Sequence, residues 1–256
     1  MILEDLHVHT VYCDGKDTPE DIVKTAIEKG MNRIGFSGHS YTFFDNEYCM
    51  TKEGTKKYIE EINRLKQVYK DKIYILCGVE KDYYSDIETK DFDYVIGSVH
   101  YIKAGNKYLP IDENAEMSKN IIKNFFDGDV YSFVKEYYMT VSDVVNKTKA
   151  DIIGHFDLIS KFNEQERMFN ENDPRYIKVY RQAIDSLVKY NKPFEINTGA
   201  ISRGYRTQAY PSDEMLKYIC KKGGCVILSS DSHSKETLLY GFEEYEKKAR
   251  DIGFKI

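Results

Sequence analysis

The chain has 256 residues, 41% of them hydrophobic, enough for a sizeable core in one large domain. Its 37 basic and 42 acidic residues leave a net charge of -5, so no cationic excess stands ready to displace the counterions of a long nucleic acid. No apolar run approaches the ~20 residues that cross a bilayer, no signal-peptide pattern opens the chain, and its 5 cysteines form no CxxC pair. A soluble, cytoplasmic protein with reduced thiols and no membrane partner is expected.

In chain order, short apolar runs alternate with longer amphipathic segments. The runs are ILEDLHVH (2–9), RIGFSGH (33–39), IYILCGVE (73–80), YVIGSVHYI (94–102), DIIGHFD (151–157), PFEINTG (193–199) and CVILSSDSH (225–233). Their length and their content of Ile, Val, Phe and Tyr suit buried parallel strands. The helices between them carry start and stop signals. Thr18 with Asp21 reads as a capping box, Pro19 takes the first helical position and Gly30 follows the end. Asp173-Pro174 opens a segment reaching Tyr190, and Ser212 opens another that closes at Lys221-Lys222-Gly223. The long, polar stretch from Lys103 to Asp127 follows the fourth strand on the same face and is placed to act as a lid. Without a linker, residues 1–256 read as one domain. Seven strands alternating with helices predict a parallel α/β fold, a TIM-like (βα) barrel of seven strands, with an open doubly wound sheet as the other candidate.

All 6 histidines (His7, His9, His39, His100, His155, His233) fall at or near the C-terminal end of a predicted strand. In a parallel barrel those ends converge on one face. His7 and His9 stand at i and i+2 of an extended segment, so their rings share a side. Glu80 and Asp231 have the same address, and Asp14 lies in the loop after the first strand, although its Asp-Gly pair also suits a plain turn. Cys13 beside it reads as a small buried hydrophobe. So many imidazoles and carboxylates exceed the needs of one tetrahedral ion, which implies two or three divalent ions, with Glu80 able to bridge two of them. Nitrogen and oxygen donors suit zinc, manganese or iron alike. Arg203, Lys161 and Arg206 lie in or near loops on the same face and are candidate ligands for a phosphate, Arg203 first for its bidentate fork.

DLHVHT, SGH, GVE, SVH, GHFD and SDSH, in this order, resemble the PHP (polymerase and histidinol phosphatase) superfamily over nearly the whole chain. The length, the CDG after HVHT and EINT at 195–198 are most similar to its monofunctional histidinol-phosphate phosphatases. The resemblance implies a distorted (βα)7 barrel with three ions at the strand C-termini. One ion would be held by His7, His9, Glu80 and Asp231, a second by Glu80, His100 and His155, a third by Asp14, His39 and His233. It further implies hydrolysis of L-histidinol phosphate in histidine biosynthesis. A hydroxide bridging two ions would attack phosphorus directly, with Glu80, Asp231 and His233 as the catalytic groups and no phosphoenzyme. Some relatives carry histidine where Asp14 stands, and arginine near Lys161. Tyr101, Tyr108, Asp112 and Glu113 would suit the amino-imidazole end of that substrate. The alternatives are a phosphoesterase for nucleotides or short oligonucleotides, a metal-dependent amidohydrolase and a non-catalytic metal-binding module. Neither the metal nor the oligomeric state is set by these residues.

Overall fold

The computed structural model describes residues 3–45 and 47–256. Its strands are β1 (Glu4–Asp5), β2 (Arg33–Phe36), β3 (Tyr74–Asp82), β4 (Tyr94–Ser98), β5 (Tyr101–Ala104), β6 (Lys107–Pro110), β7 (Ile152–Ile153), β8 (Phe194–Asn197) and β9 (Val226–Ser229). β5 and β6 form an antiparallel hairpin, and the other seven make one sheet in the order β1-β2-β3-β4-β7-β8-β9. Neighbours in that sheet are parallel throughout, with Ile34 opposite Ile75, Gly78 opposite Tyr94, Ile96 opposite Ile152 and Phe194 opposite Val226. Each of the seven predicted runs coincides with one strand of this sheet, β3 reaching past its run to Asp82; Ile2, the expected start of the first, lies outside the described residues.

The sheet curls until its two edges meet. Just beyond β1 and β9, Val8 pairs with Ser232: His9 N donates to Ser232 O at 2.8 Å and Ser232 N to His7 O at 3.1 Å. Below this junction the fully buried Asp5 carboxylate accepts from Ser230 N (3.2 Å), Leu239 N (3.3 Å) and the Ser230 hydroxyl. The result is a nearly closed, distorted barrel of seven strands, the architecture expected from the strand and helix alternation.

The lumen is filled by Tyr94, Ile96 and Ile152, with Leu6, Leu76 and Ile227 against them. The Tyr94 hydroxyl donates to Leu6 O at 2.5 Å and lies 3.1 Å from Phe36 O. Gly35 and Gly78 make room for that ring, which a β-carbon at either position would overlap. Outside the sheet, Ile22, Val23, Ile62 and Leu65 from the helices Pro19–Glu28 and Lys52–Val68 cover Ile34, Phe36, Ile75 and Val79. On the other side Tyr137, Tyr138, Ile184 and Leu187 cover Ile153, Phe194 and Ile196. Each such side chain contributes about 1.5–3 kcal/mol by leaving water.

The helix punctuation is largely as expected. Thr18 accepts from Asp21 N at 3.2 Å, and its hydroxyl donates to the Asp21 carboxylate at 2.6 Å. Asp173 caps the helix Pro174–Leu187, which a 3-10 turn extends to Tyr190. Ser212 occupies the N-cap of the helix Asp213–Lys221, but its side chain makes no capping bond there. One expectation is corrected. The run 94–102 is two strands, because the chain turns at Val99–His100, where His100 N donates to Asp82 Oδ2 at 2.9 Å. The stretch 103–127 completes the hairpin around Gly105, whose φ is +61°, and then forms the helix Ala115–Phe125, capped by Asn114.

Candidate metal and substrate site

At the C-terminal end of the barrel, Glu80 on β3 meets side chains from the segments just beyond β1 (His7, His9, Asp14), β2 (His39), β4 (His100), β7 (His155) and β9 (Asp231, His233). His7 and His9 extend β1, fully buried, with ring centroids 5.1 Å apart, as the i, i+2 spacing predicts. Glu80, on β3, lies between the imidazoles and gives one oxygen to each group of them. Its Oε2 is 3.2 Å from His7 Nε2, 3.6 Å from His9 Nε2 and 2.8 Å from His39 Nδ1. Its Oε1 is 2.8 Å from His155 Nε2 and 3.3 Å from His100 Nε2. Asp231, in the loop after β9, holds Oδ1 3.2 Å from His9 Nε2 and 3.7 Å from His7 Nε2. Asp14 reaches the rim, with Oδ2 3.1 Å from His233 Nε2 and Oδ1 3.6 Å from His9 Nδ1 and 3.7 Å from His39 Nε2. Gly15 lets this loop fold onto Thr10, its N donating to Thr10 O at 3.1 Å, where a β-carbon would strike the His9–Thr10 backbone.

All nine sequence-predicted ligands therefore share one site, although they overlap more than three separate sets. Donor atoms lie within 4.8 Å of one another in the groups His7–His9–Glu80, His39–Glu80–His100 and His9–Asp14–His39–His233. His9 belongs to two of these groups and so does His39. The fit to metal ions rests on an observation of polar satisfaction: the buried His7 Nε2, His9 Nε2 and Glu80 Oε2 converge without a hydrogen-bond partner among the described residues. Leaving such atoms unmet costs about 1–3 kcal/mol each, which a cation would recover. The donor set, all imidazole and carboxylate, suits a divalent ion.

The electrostatics agree. Despite burial, which opposes it, the imidazoles of His39, His7 and His100 hold the Glu80 carboxyl well below its usual range. Asp231 is likewise depressed against burial, by Arg203 first and then His7. Burial, with His233 and His39 nearby, drives His9 down to about 3, so its ring is neutral and ready to ligate. For His7 and His100 burial is outweighed by Glu195 and Glu80, which raise them well above the usual imidazole range. Cys13 packs 3.6 Å from His9 Nδ1, but burial pushes its thiol up to about 12, so it is a poor ligand.

Two carboxylates behind the ligands escaped sequence reading. Glu195 Oε1 is 2.6 Å from His7 Nδ1, and its Oε2 accepts from His155 N at 3.0 Å. Asp82 Oδ2 accepts from His100 N at 2.9 Å and is 3.4 Å from His100 Nδ1. Such partners fix which imidazole nitrogen faces an ion. Their signal was the strand period: Asp82 lies two residues beyond Glu80, and Glu195 two before Asn197, on the inward face.

Above the cluster opens a cavity of about 510 Å³. Arg203 lines it, donating to Asp231 O (2.7 Å) and Asp231 Oδ2 (3.0 Å) beside His233. Lys161 lines it too, as do Tyr101, Asp112 and Glu113; Tyr108 instead stacks on Phe44 at 4.0 Å. Asp45, Glu47 and Tyr48, from the loop after β2, form a part of the wall that the sequence did not single out. Arg206 is corrected. Buried at 6% exposure, it does not line the cavity; its Nη1 meets Ser160 Oγ at 2.8 Å and Asp157 Oδ2 at 3.4 Å.

A parallel barrel carrying a histidine–carboxylate cluster at its strand C-termini defines a protein built to hold divalent ions for chemistry in the cavity above them. Residues 5–199 match the PHP domain, and the chain belongs to that family. It is 30% identical to a Schizosaccharomyces pombe protein named "Probable histidinol-phosphatase", over 84% of this chain and 74% of the relative. It is also 24% identical to the histidinol-phosphatase of Bacillus subtilis, over 96% and 98% of the two chains. Among solved structures, histidinol phosphate phosphatase from Lactococcus lactis, complexed with zinc, L-histidinol and phosphate, superposes with a TM-score of 0.73 at 22% identity, over 99% of this chain and 95% of that one.

Proposed function

We infer that this chain is a metal-dependent phosphomonoesterase that hydrolyses L-histidinol phosphate to L-histidinol and phosphate. The observation that carries the reading is Glu80 with an oxygen turned to each of two groups of imidazoles, beneath a cavity that Arg203 and Lys161 enter. Full-length relatives named histidinol-phosphatase support the substrate. Two or three ions, zinc, manganese or iron, would be held by His7, His9, Asp14, His39, Glu80, His100, His155, Asp231 and His233. Bound there, divalent ions supply a strong nucleophile from water at neutral pH and neutralise charge on the phosphoryl oxygens.

The chain's own groups do the rest. Glu80 and Asp231 stay ionised, and His9 stays neutral, so these three donors are in their ligating forms. Arg203 presents a guanidinium at the floor of the cavity, where a phosphate would receive paired hydrogen bonds. His233, one-fifth exposed at the rim with Nε2 3.1 Å from Asp14 Oδ2, completes the outermost group of donors. The acidic part of the lining accepts the amino-imidazole end. Residues 1–256 acting as one domain is part of this reading, supported by the single sheet that runs from β1 to β9. So is a cytoplasmic site of action, supported by five free cysteines. No helix among the described residues is long and apolar enough to cross a membrane.

The test is phosphate release from L-histidinol phosphate, AMP, a nucleoside 3′,5′-bisphosphate and p-nitrophenyl phosphate, with manganese, zinc or iron supplied. A kcat/KM for L-histidinol phosphate far above the others supports the assignment. Preference for a nucleotide would keep the metal site and overturn the substrate.

A further inference from the structure

The cavity carries more negative charge than a phosphate ester would need. Asp45, Glu47, Asp112 and Glu113 all line it, away from the strand ends that carry Glu80 and Asp231. One cation stands among them. Lys161 Nζ donates to Asp112 Oδ2 at 3.1 Å and to Asp112 O at 2.7 Å, and lies 4.8 Å from the centre of the Tyr205 ring. The two side chains are 14% and 24% exposed, and they join loops 49 residues apart, one after β6 and one after β7. Lys161 is therefore already paired in the same cavity where a phosphate would call on it.

Pairing of this kind has a consequence for selectivity. A ligand phosphate that draws Lys161 away leaves the Asp112 carboxylate uncompensated, in a cavity the ligand itself dries. Breaking a sheltered pair from one side is costly because a charge is left behind. A ligand that brings both a phosphate and an ammonium replaces each half of the pair with its own opposite charge. The surrounding Asp45, Glu47 and Glu113 favour the cation further.

We propose that the Lys161–Asp112 pair is a selectivity lock, opened without loss only by phosphate monoesters that carry their own cation. The proposal rests on the phosphatase reading above and names its substrate class: zwitterionic phosphate monoesters, of which L-histidinol phosphate is one. Purely anionic monoesters must strand Asp112 and are turned over poorly for that reason.

The experiment compares kcat/KM for L-histidinol phosphate and p-nitrophenyl phosphate in the manganese-supplied wild type, Asp112→Asn and Asp112→Glu. In Asp112→Asn the value for L-histidinol phosphate should fall about tenfold, while that for p-nitrophenyl phosphate rises several-fold because Lys161 is released. Asp112→Glu, which keeps the charge, should hold the wild-type ratio within about threefold. An equal fall on both substrates, or an unchanged ratio in Asp112→Asn, overturns the lock and leaves the substrate assignment standing. A wild type that hydrolyses p-nitrophenyl phosphate but not L-histidinol phosphate overturns both. A second measurement needs no variant: with the wild type, inorganic phosphate should inhibit several-fold more tightly when L-histidinol is also present. Independent inhibition by the two products would refute the exchange of charges.

Discussion

Replacing Arg206 by methionine tests whether this guanidinium serves the substrate or the fold. Its Nη1 lies 2.8 Å from Ser160 Oγ and 3.4 Å from Asp157 Oδ2, its Nε 3.5 Å from Glu164 Oε1, and its charge 4.6 Å from the centre of the Tyr210 ring. Asp157 has no exposure, and burial already raises its carboxyl even with Arg206 beside it. In Arg206→Met that carboxylate loses its counter-charge and takes up a proton instead. Keeping an aspartic acid protonated at neutral pH, against an unfolded value near ~3.9, costs about 4 kcal/mol. That agrees with the 3–5 kcal/mol, roughly, of breaking a buried pair from one side. For a chain of this size the melting midpoint should drop by roughly 8–16 °C.

The sign with pH follows. A carboxyl whose folded-state pKa is raised favours the fold below its unfolded value and penalises it as pH rises through the folded one. The deficit of Arg206→Met against the wild type should therefore shrink at pH 5. Adding Asp157→Asn should recover most of it at neutral pH, since no buried charge is then left. Thermal melts of the wild type, Arg206→Met and the double variant at the two pH values read all of this. If Arg206→Met melted within about 2 °C of the wild type while its KM rose tenfold or more, the buried-pair argument would be wrong and Arg206 would be a substrate ligand.

Other expectations concern the cluster and the cavity. His9→Ala and Glu80→Ala should each abolish phosphate release and lower the metal content of the purified chain; a Glu80→Ala enzyme with wild-type turnover would end the bridging model. Glu195→Gln should weaken metal binding by about 10–100-fold through His7, which it orients, without removing a ligand; competition with a chelator measures this. Arg203→Ala should chiefly raise KM, and an unchanged KM would remove it from the phosphate site. Because carboxylates hold protons on His7 and His100 above the usual imidazole range, an ion must displace them. Metal affinity should then rise with pH from 6 to 8 and binding should release protons, both readable by calorimetry in two buffers.

The barrel and most of its cluster were legible because their signals are local. A parallel strand buried on both faces announces itself by a short run of Ile, Val, Phe and Tyr, and the chain places a histidine or carboxylate at or near the end of every such run but 193–199. Once the runs are taken as parallel, the meeting of His7, His39, Glu80, His100, His155 and Asp231 follows from topology alone. Tertiary structure alone decided how charges on different loops pair. Whether Arg206 or Arg203 faces the cavity depends on the packing of the 199–211 segment against Asp157 and Ser160. Nothing near Lys161 in sequence foretells Asp112, nor does anything near His7 foretell Glu195 at 2.6 Å. Periodicity reports which way a side chain points from its own strand; the partner it finds is set by chain segments tens of residues away, brought together only when the barrel closes.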